Sequence, residues 1–263
     1  MRVVRRIALV FVALLVGLWA TARVLIAGLP NEALGTFAEV SGERVHFVDE
    51  GQGSPILMIH GASGNLGDME LRLAPALRAA GHRVITIDRP GLGLSSRNDP
   101  GLQEIAAQAD LVVALMDELG VDAPTVVGHS LGGAVSLAMA VHHPDRVGGL
   151  VDLSGVSHAW NGDVWWPYAL AGMPVVGWYF CNALMPVVGL ALYDASVDST
   201  FTPEPAIADY SDLTQTKMVM RPQTFCNNAA DVRALNDGVA GLNAGYADLT
   251  EAFDVVFGTE DYV

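Results

Sequence analysis

Short apolar runs alternate with longer segments of helical spacing along the middle of the chain. The runs have the length and the unbroken apolar character of strands buried on both faces, and they lie at residues 55–59, 83–88, 125–127 and 147–153. The helical segments end at a glycine or a proline, and they lie at residues 66–80, 102–119 and 131–143. A strand pair at 36–49 and a strand at 254–257 complete the pattern. Strands that alternate with helices predict an α/β fold, with a mostly parallel central sheet and helices on both faces.

An apolar, aromatic segment interrupts this alternation. Four of the five tryptophans fall within it, and no charged residue occurs at 164–193. We predict a helical cap inserted into the sheet domain. A second membrane helix and a helical subdomain with an ordinary core are the alternatives, but prolines 167, 174 and 186 would each disturb a spanning helix. The predicted boundaries are 1–30 for the N-terminal segment, 31–156 for the core, 157–245 for the cap and 246–263 where the core resumes.

The N-terminal segment predicts a membrane anchor. Residues 7–29 are apolar apart from Arg23, and about 20 apolar residues cross a bilayer as a helix. The arginines that precede this run favour a cytoplasmic N-terminus, which puts the domain outside the cytoplasm, in the periplasm. A cleaved signal peptide is the alternative, because Ala20-Thr21-Ala22 fits a small-x-small cleavage site. The apolar run resumes after that site and favours the anchor, and both interpretations export the domain.

The net charge limits which classes of partner are expected, and the cysteines raise the question of a disulfide. The formal net charge is −15, and all the basic residues of the first thirty lie in a stretch without an acidic residue, so the remainder is more acidic still. Such a surface repels phosphate backbones, and nucleic acid is not expected as a partner. Cys181 and Cys226 lack metal-type spacing. They form either a disulfide, if the domain is exported, or two buried thiols. The oligomeric state is left open.

The strongest chemical signal is Gly-His-Ser-Leu-Gly-Gly at 128–133, between a predicted strand and a predicted helix. A serine on a tight, strained turn exposes its hydroxyl at the carboxyl end of the strand. Its neighbours two residues away must then be small, and Gly128 and Gly132 meet that demand. Ser130 is the predicted nucleophile.

Two further motifs follow strands of the predicted sheet. His60-Gly61-Ala62 can form a sharp turn, and an oxyanion hole needs two N–H donors. We nominate the backbone N–H groups of Ala62 and Leu131, and we interpret His60 as a structural residue rather than a base. Residues 88–95, rich in glycine around Pro90, are interpreted as a fixed turn that shapes the floor of the pocket.

These three motifs, in this order and spacing, resemble the α/β-hydrolase family from about residue 36 onward. The resemblance implies the α/β-hydrolase fold with a cap between the sixth and seventh strands. Members with serine at this strained turn, which is called the nucleophile elbow, are mostly esterases, lipases, amidases and carbon–carbon bond hydrolases. Because Ser130 occupies that position here, the members with an aspartate nucleophile are not expected. Asp261, in Gly258-Thr-Glu-Asp261, matches the acid of the catalytic triad in this family.

The same resemblance implies a base histidine beyond the acid, after one more strand. The sequence ends two residues after Asp261, so no catalytic histidine is assigned and the last strand and helix are expected to be missing. His158 is the only substitute worth weighing. A fragment of a longer protein, a pseudoenzyme that binds without catalysis, and a base from elsewhere stay open, and the intact upstream motifs favour the fragment.

The sequence therefore predicts a serine hydrolase that cleaves an ester-type bond of a fairly apolar small molecule through an acyl-enzyme. A non-catalytic binding module, an amidase and a carbon–carbon bond hydrolase are the alternatives. No metal site and no organic cofactor are implied.

Overall fold

A computed structural model describes residues 1–250 and 252–259 of the chain. Its centre is a seven-stranded sheet in the order β1-β2-β4-β3-β5-β6-β7. The strands are β1 (Thr36–Val40), β2 (Glu43–Glu50), β3 (Pro55–Ile59), β4 (Arg83–Ile87), β5 (Thr125–His129), β6 (Gly149–Leu153) and β7 (Phe253–Val256). β2 runs antiparallel to β1 and to β4, and all other pairs are parallel. The predicted α/β-hydrolase fold with a mostly parallel sheet is confirmed.

The helices lie on both faces of the sheet and above its carboxyl ends. They are α1 (Arg2–Ala27), α2 (Leu66–Glu70), α3 (Leu73–Ala79), α4 (Ile105–Glu118), α5 (Leu131–His142), α6 (Trp166–Ala171), α7 (Val176–Tyr179), α8 (Met185–Phe201), α9 (Tyr210–Thr214) and α10 (Pro222–Leu242). A π-helical turn, Phe180–Leu184, joins α7 to α8. Short 3₁₀ helices lie at Pro100–Gln103, Pro144–Arg146, Thr216–Met220 and Asn243–Asp248.

Two predicted helices are each divided in the structure. The helix predicted at 66–80 breaks into α2 and α3 at Arg72, whose φ is −143°. Pro75 follows three residues later, and a proline has no N–H to bond and clashes with the carbonyl of the residue four positions earlier. The helix predicted at 102–119 has its first turn as a separate 3₁₀ helix, because Glu104 is extended.

Alternate side chains of each central strand enter two different cores. In β3, Leu57 and Ile59 pack with α4 and α5 on one face, while Ile56 and Met58 pack with α2 and α3 on the other. Both sets are at least 90% buried. This two-sided burial explains why the strand is apolar without interruption, as a parallel sheet covered on both faces requires. At the edge of the sheet, all four residues of β7 are exposed.

The region predicted as the cap contains α6 to α10. Phe180, Cys181, Met185 and Phe225 form its own small core. Cys181 and Cys226 are joined in a disulfide that links the π-helical turn to α10, so the disulfide interpretation holds. The second half of α10 instead packs into the main core through Leu235, Val239 and Leu242. α10 is thus shared between the cap and the sheet domain.

The N-terminal helix α1 packs against the cap, along the π-helical turn and α8. Tyr179 donates a hydrogen bond from its hydroxyl to the carbonyl of Leu15 (2.9 Å). Two helical stretches of the described residues are long and apolar enough to cross a membrane, Arg2–Ala27 and Val176–Phe201, and 39% of the apolar window in the second is buried against other parts of the protein. Helices of this kind also occur in protein cores and signal sequences, so length and composition alone do not assign a span.

Candidate functional site

Ser130 sits on a strained turn between β5 and α5. Its φ of 50° and ψ of −119° are unusual for a residue with a side chain. The turn is fixed from both sides, because the N–H of Ser130 donates to the carbonyl of Leu153 (3.0 Å) and its own carbonyl accepts from the N–H of Gly133 (2.9 Å). The half-buried side chain is thereby held at the carboxyl end of the sheet.

The glycines that flank the serine are required by close backbone contacts. A Cβ at Gly132 would lie 2.2 Å from the carbonyl oxygen of Ile59. A Cβ at Gly128 would lie 2.5 Å from the carbonyl oxygen of Gly132. No real Cβ occupies such a position, so the turn excludes larger residues on both sides of Ser130.

The loop after β3 passes directly over this turn. A Cβ at Gly61 would lie 3.0 Å from the Cβ of Ser130, which shows how closely the two segments approach. Ala62 follows in this loop, and Leu131 begins α5. Among the hydrogen bonds of residues 1–250 and 252–259, none uses the backbone N–H of Ala62 or of Leu131. These two donors, nominated from the sequence as an oxyanion hole, are therefore uncommitted beside the serine.

His60 is a fully buried structural residue in this loop. Its Nε2 accepts from the backbone N–H of Arg89 (3.0 Å), so its Nδ1 carries the proton and donates to the carbonyl of Gly61 (2.8 Å). Burial, and then the charge of Arg89, lowers the pKa of His60 to about 3. Both ring nitrogens are occupied, which supports the interpretation of His60 as a structural group rather than a base.

Arg89 holds the same loop from below. Its side chain is completely buried and donates to the carbonyls of His60 (3.0 Å) and Gly61 (3.2 Å), to Gln108 (3.1 Å) and to the carboxylate of Asp231 (2.7 Å). Arg97 donates to the other oxygen of Asp231 (2.6 Å). The carboxylate thus bridges two guanidinium groups, and all three charges are paired inside the protein.

The carboxylate of Asp88 holds the glycine-rich turn at 88–95 in place. One of its oxygens accepts from the N–H of Leu66 (2.8 Å), and the other accepts from the N–H of Leu94 (2.8 Å) and lies 2.7 Å from Nδ1 of His46. The carboxylate therefore joins the start of α2 to this turn. The turn lies beneath the loop of His60, in keeping with its interpretation as scaffold.

Asn228, on α10, clamps the loop from the cap side. It accepts from the N–H of Ser63 (2.7 Å) and donates to the hydroxyl of Ser63 (3.0 Å), one residue beyond Ala62. The hydroxyls of Ser63 and Tyr168 lie 3.3 Å apart. Sequence reasoning missed Asn228 and Asp231, and their only signal was a pair of polar residues one helical turn apart in the predicted cap.

An apolar cavity of about 380 Å³ lies between this loop and the cap. Its wall includes Gly61, Ala62, Ser63 and His129, the immediate surroundings of Ser130. The remaining wall is mostly aliphatic and aromatic, and it includes Trp165, Phe180, Met185, Leu192, Val219 and Phe225. A small molecule in this cavity would be surrounded mostly by hydrocarbon, although polar side chains such as Asp68, Tyr210 and Thr216 also line the wall.

Within the described residues, neither the predicted acid nor a base of the catalytic triad is found at Ser130. Asp261 lies outside the described residues. His158, the substitute considered from the sequence, is exposed, contacts the hydroxyl of Ser157 (3.0 Å) and stacks edge-on against Tyr246. No hydrogen bond within the described part of the chain joins a histidine to Ser130. His129, beside Ser130 in the sequence, lines the cavity.

Asp152 was not considered from the sequence, although an acidic residue inside an apolar strand is a visible signal. It pairs in register with Gly128, next to the elbow, and it is 2% exposed. Burial raises its pKa to about 6. The carboxyl group of Asp152 therefore lies behind the turn that carries Ser130.

The profile of the alpha/beta hydrolase fold matches residues 54–219. The chain belongs to the α/β-hydrolase family. Its matched region includes the elbow and both loops described above, together with most of the cap.

Relatives of this α/β-hydrolase carry out different reactions. It is 41% identical over 112 residues to the dihydrolipoyllysine-residue acetyltransferase component of the acetoin cleaving system of Cupriavidus necator, which covers 42% of this chain and 29% of that protein. It is 36% identical over 115 residues to the 2-hydroxy-6-oxo-6-phenylhexa-2,4-dienoate hydrolase of Burkholderia cepacia, covering 43% and 40%. The matches span less than half of these relatives.

A solved structure extends the likeness in fold. An α/β-hydrolase fold protein from Burkholderia ambifaria superposes with a TM-score of 0.67 at 22% identity, over 88% of this chain and 82% of that one. At this identity the comparison concerns the fold alone.

Removing the carboxylate between the two buried arginines should destabilise the hydrolase. We expect Asp231→Ala to lower the free energy of unfolding by about 3–5 kcal/mol, because Arg89 and Arg97 would stay buried without a counter-charge. Denaturant unfolding measures the change. Asp237→Ala, at an exposed position of the same helix, is the matched control and should be nearly neutral. Equal effects of the two substitutions would contradict the assignment.

His60 should remain neutral well into the acid range. Its imidazole nitrogen signals, assigned by their absence in His60→Gln, should show no titration between pH 8 and pH 5. Because the unfolded chain binds this proton near pH 6.5 and the folded chain only near pH 3, His60 contributes stability above pH 6.5 that is lost as the pH falls toward 3. An inflection of its signals near pH 6.5 would show that the ring is not held as described.

Proposed function

We propose that this protein is a serine hydrolase that cleaves an ester-type bond of a fairly apolar small molecule through an acyl-enzyme. One observation carries the proposal. The strained turn of Ser130 lies under a loop whose Ala62 N–H has no hydrogen-bond partner within the described part of the chain, at the end of an apolar cavity of about 380 Å³. A nucleophile, oxyanion donors and an apolar pocket are three of the parts that acyl transfer from an apolar ester needs, besides a base.

The proposed reaction has two halves. A histidine base, which has no assigned position among these 263 residues, would be oriented by Asp261 and would take the hydroxyl proton of Ser130 as Oγ bonds to the substrate carbonyl carbon. The N–H groups of Ala62 and Leu131 donate to the resulting oxyanion, and each such donor contributes about 3–4 kcal/mol in known cases. The base then passes its proton to the leaving alcohol as the carbon–oxygen bond breaks. Water, deprotonated by the same base, releases the acid and restores Ser130.

We further propose that α1 anchors the protein in a membrane, with the hydrolase domain outside the cytoplasm. Arginines at the N-terminal end of α1 favour this orientation. The disulfide between Cys181 and Cys226 supports an oxidising compartment. A lipophilic substrate fits both the anchor and the apolar wall of the cavity.

A fluorophosphonate probe should label the full-length protein at Ser130. Phosphonylation needs the same activated hydroxyl and oxyanion donors as ester cleavage, so Ser130→Ala should abolish labelling. Ser157→Ala is the matched control and should label like the parent protein. No labelling of the parent, together with ligand binding that Ser130→Ala leaves unchanged, would favour a binding module that lacks catalysis.

Hydrolysis of a carbon–carbon bond is the second candidate, because the hydrolase from Burkholderia cepacia named above is 36% identical over the matched segment. An amide-cleaving enzyme would use the same nucleophile. We expect a panel of esters, amides and vinylogous 1,5-diketones to give the highest kcat/KM with an apolar ester. Faster turnover of a diketone, read from loss of its absorbance, would assign the second candidate instead.

A further inference from the structure

The N-terminal helix is fixed to the cap along half its length rather than tethered at one end. Leu15 accepts the hydrogen bond of Tyr179, and Ala22 is 0% exposed. The segment after α1 is fixed as well, because Arg221 donates to the carbonyl of Pro30 and Gln215 donates to the carbonyl of Glu32. The cap and α1 therefore form one surface.

The position of this contact limits how far the helix can extend beyond the cap. From Ile7 to Leu15 an α-helix rises about 12 Å, at about 1.5 Å per residue. The hydrocarbon core of a bilayer is about 30 Å thick. The remaining part of the span must come from residues after Leu15, and these lie beside the π-helical turn and α8. If α1 crosses the bilayer, the adjoining side of the cap lies at the depth of the outer leaflet.

That side of the cap has the chemistry of a surface in contact with lipid. The segment 164–193 contains no charged residue. Several of its large apolar side chains are exposed, and we call them the apolar cap face: Trp165, Trp166, Val175, Val176, Trp178 and Leu192. In water such a cluster would be costly, whereas in a membrane lipid would cover these aromatic and aliphatic side chains.

The same face forms part of the wall of the cavity. Trp165, Trp166 and Leu192 each line the cavity and are also 58–63% exposed, so they stand at its rim. The charged residues of α8, Asp194 and Asp198, follow after this apolar stretch. The rim beside Ser130 is thus apolar on the side where α1 packs.

We propose that the apolar cap face is embedded in the outer leaflet and that the substrate, an ester dissolved in the bilayer, enters the cavity directly from the lipid. The proposal rests on the anchor and on the serine hydrolase function proposed above. Continuity with α1 favours lipid over a second copy of the chain as the occupant of this face. The hydroxyl of Tyr179 bonds to the helix backbone and so needs no water at that depth.

Tryptophan quenching by brominated lipids tests the embedding independently of catalysis. Two variants of the full-length protein retain a single tryptophan, Trp178 in one and Trp160 in the other, with phenylalanine at the other four positions. Trp160, whose backbone bonds to Asn236 outside the apolar cap face, is the control. In vesicles of dibrominated phosphatidylcholine we expect strong quenching of Trp178 and little quenching of Trp160. Equal, weak quenching of both, or protein that does not stay with the vesicles, would overturn the proposal.

Activity measurements then test the route of the substrate. We expect Trp178→Lys to lower the turnover of a long-chain nitrophenyl ester dissolved in vesicles by about tenfold or more, because a lysine is strongly disfavoured in hydrocarbon. Turnover of a short, water-soluble ester should be unchanged, since Trp178 is outside the cavity wall. Leu213→Lys, at an exposed apolar position of α9, is the control and should affect neither ester.

The outcomes separate the two proposals. Quenching of Trp178 without any esterase activity would leave the cap in the membrane and refute the hydrolase function. Full activity of Trp178→Lys on the vesicle ester would refute entry from the lipid while the hydrolase function stands. The same conclusion would follow if Trp178 were not quenched because it is buried in a dimer.

Discussion

The buried side chain of Arg89 fixes the geometry on which the site depends. A guanidinium without water needs hydrogen-bond partners, and Arg89 donates to two carbonyls of the loop after β3, an amide oxygen and a carboxylate. The carbonyls of His60 and Gly61 are thereby turned down toward Arg89. Because each peptide unit is planar, fixing a carbonyl also fixes the N–H on its other side. The hydrogen bond from Arg89 to the carbonyl of Gly61 therefore sets the direction of the Ala62 N–H.

The counter-charge for Arg89 comes from α10, and this joins two parts of the protein. Asn228 bonds to Ser63 in the loop after β3, and Asp231, one helical turn later, bonds to Arg89, which in turn donates to the carbonyls of that loop. The same helix packs into the main core through Leu235 and Val239. The cap cannot shift at α10 without disturbing the loop that carries the proposed oxyanion donor. The cap and the loop of the proposed oxyanion hole thus share one structural element, α10.

Features set by neighbouring residues could be predicted from the sequence, and those set by distant partners could not. The turn of Ser130, its flanking glycines and the succession of strands and helices along the chain follow from local patterns of spacing and size. The partners of Arg89 and Ser63 lie 142 and 165 residues away, and nothing near Asp231 or Asn228 indicates which loop each contacts. Pro75 was visible, yet the break it causes was missed because apolar spacing continued across it. The pairing of the cysteines likewise depends on how the cap folds.

The burial of Ala22 bears on the fate of the N-terminal segment. A peptidase acts on chain that is extended and accessible, whereas Ala20-Thr21-Ala22 lies within a helix and Ala22 is covered by the cap. Once the cap has folded, the cleavage motif is no longer a substrate. If the domain is exported, as proposed above, whether the segment is kept would then depend on whether the processing enzyme acts before the cap folds against α1.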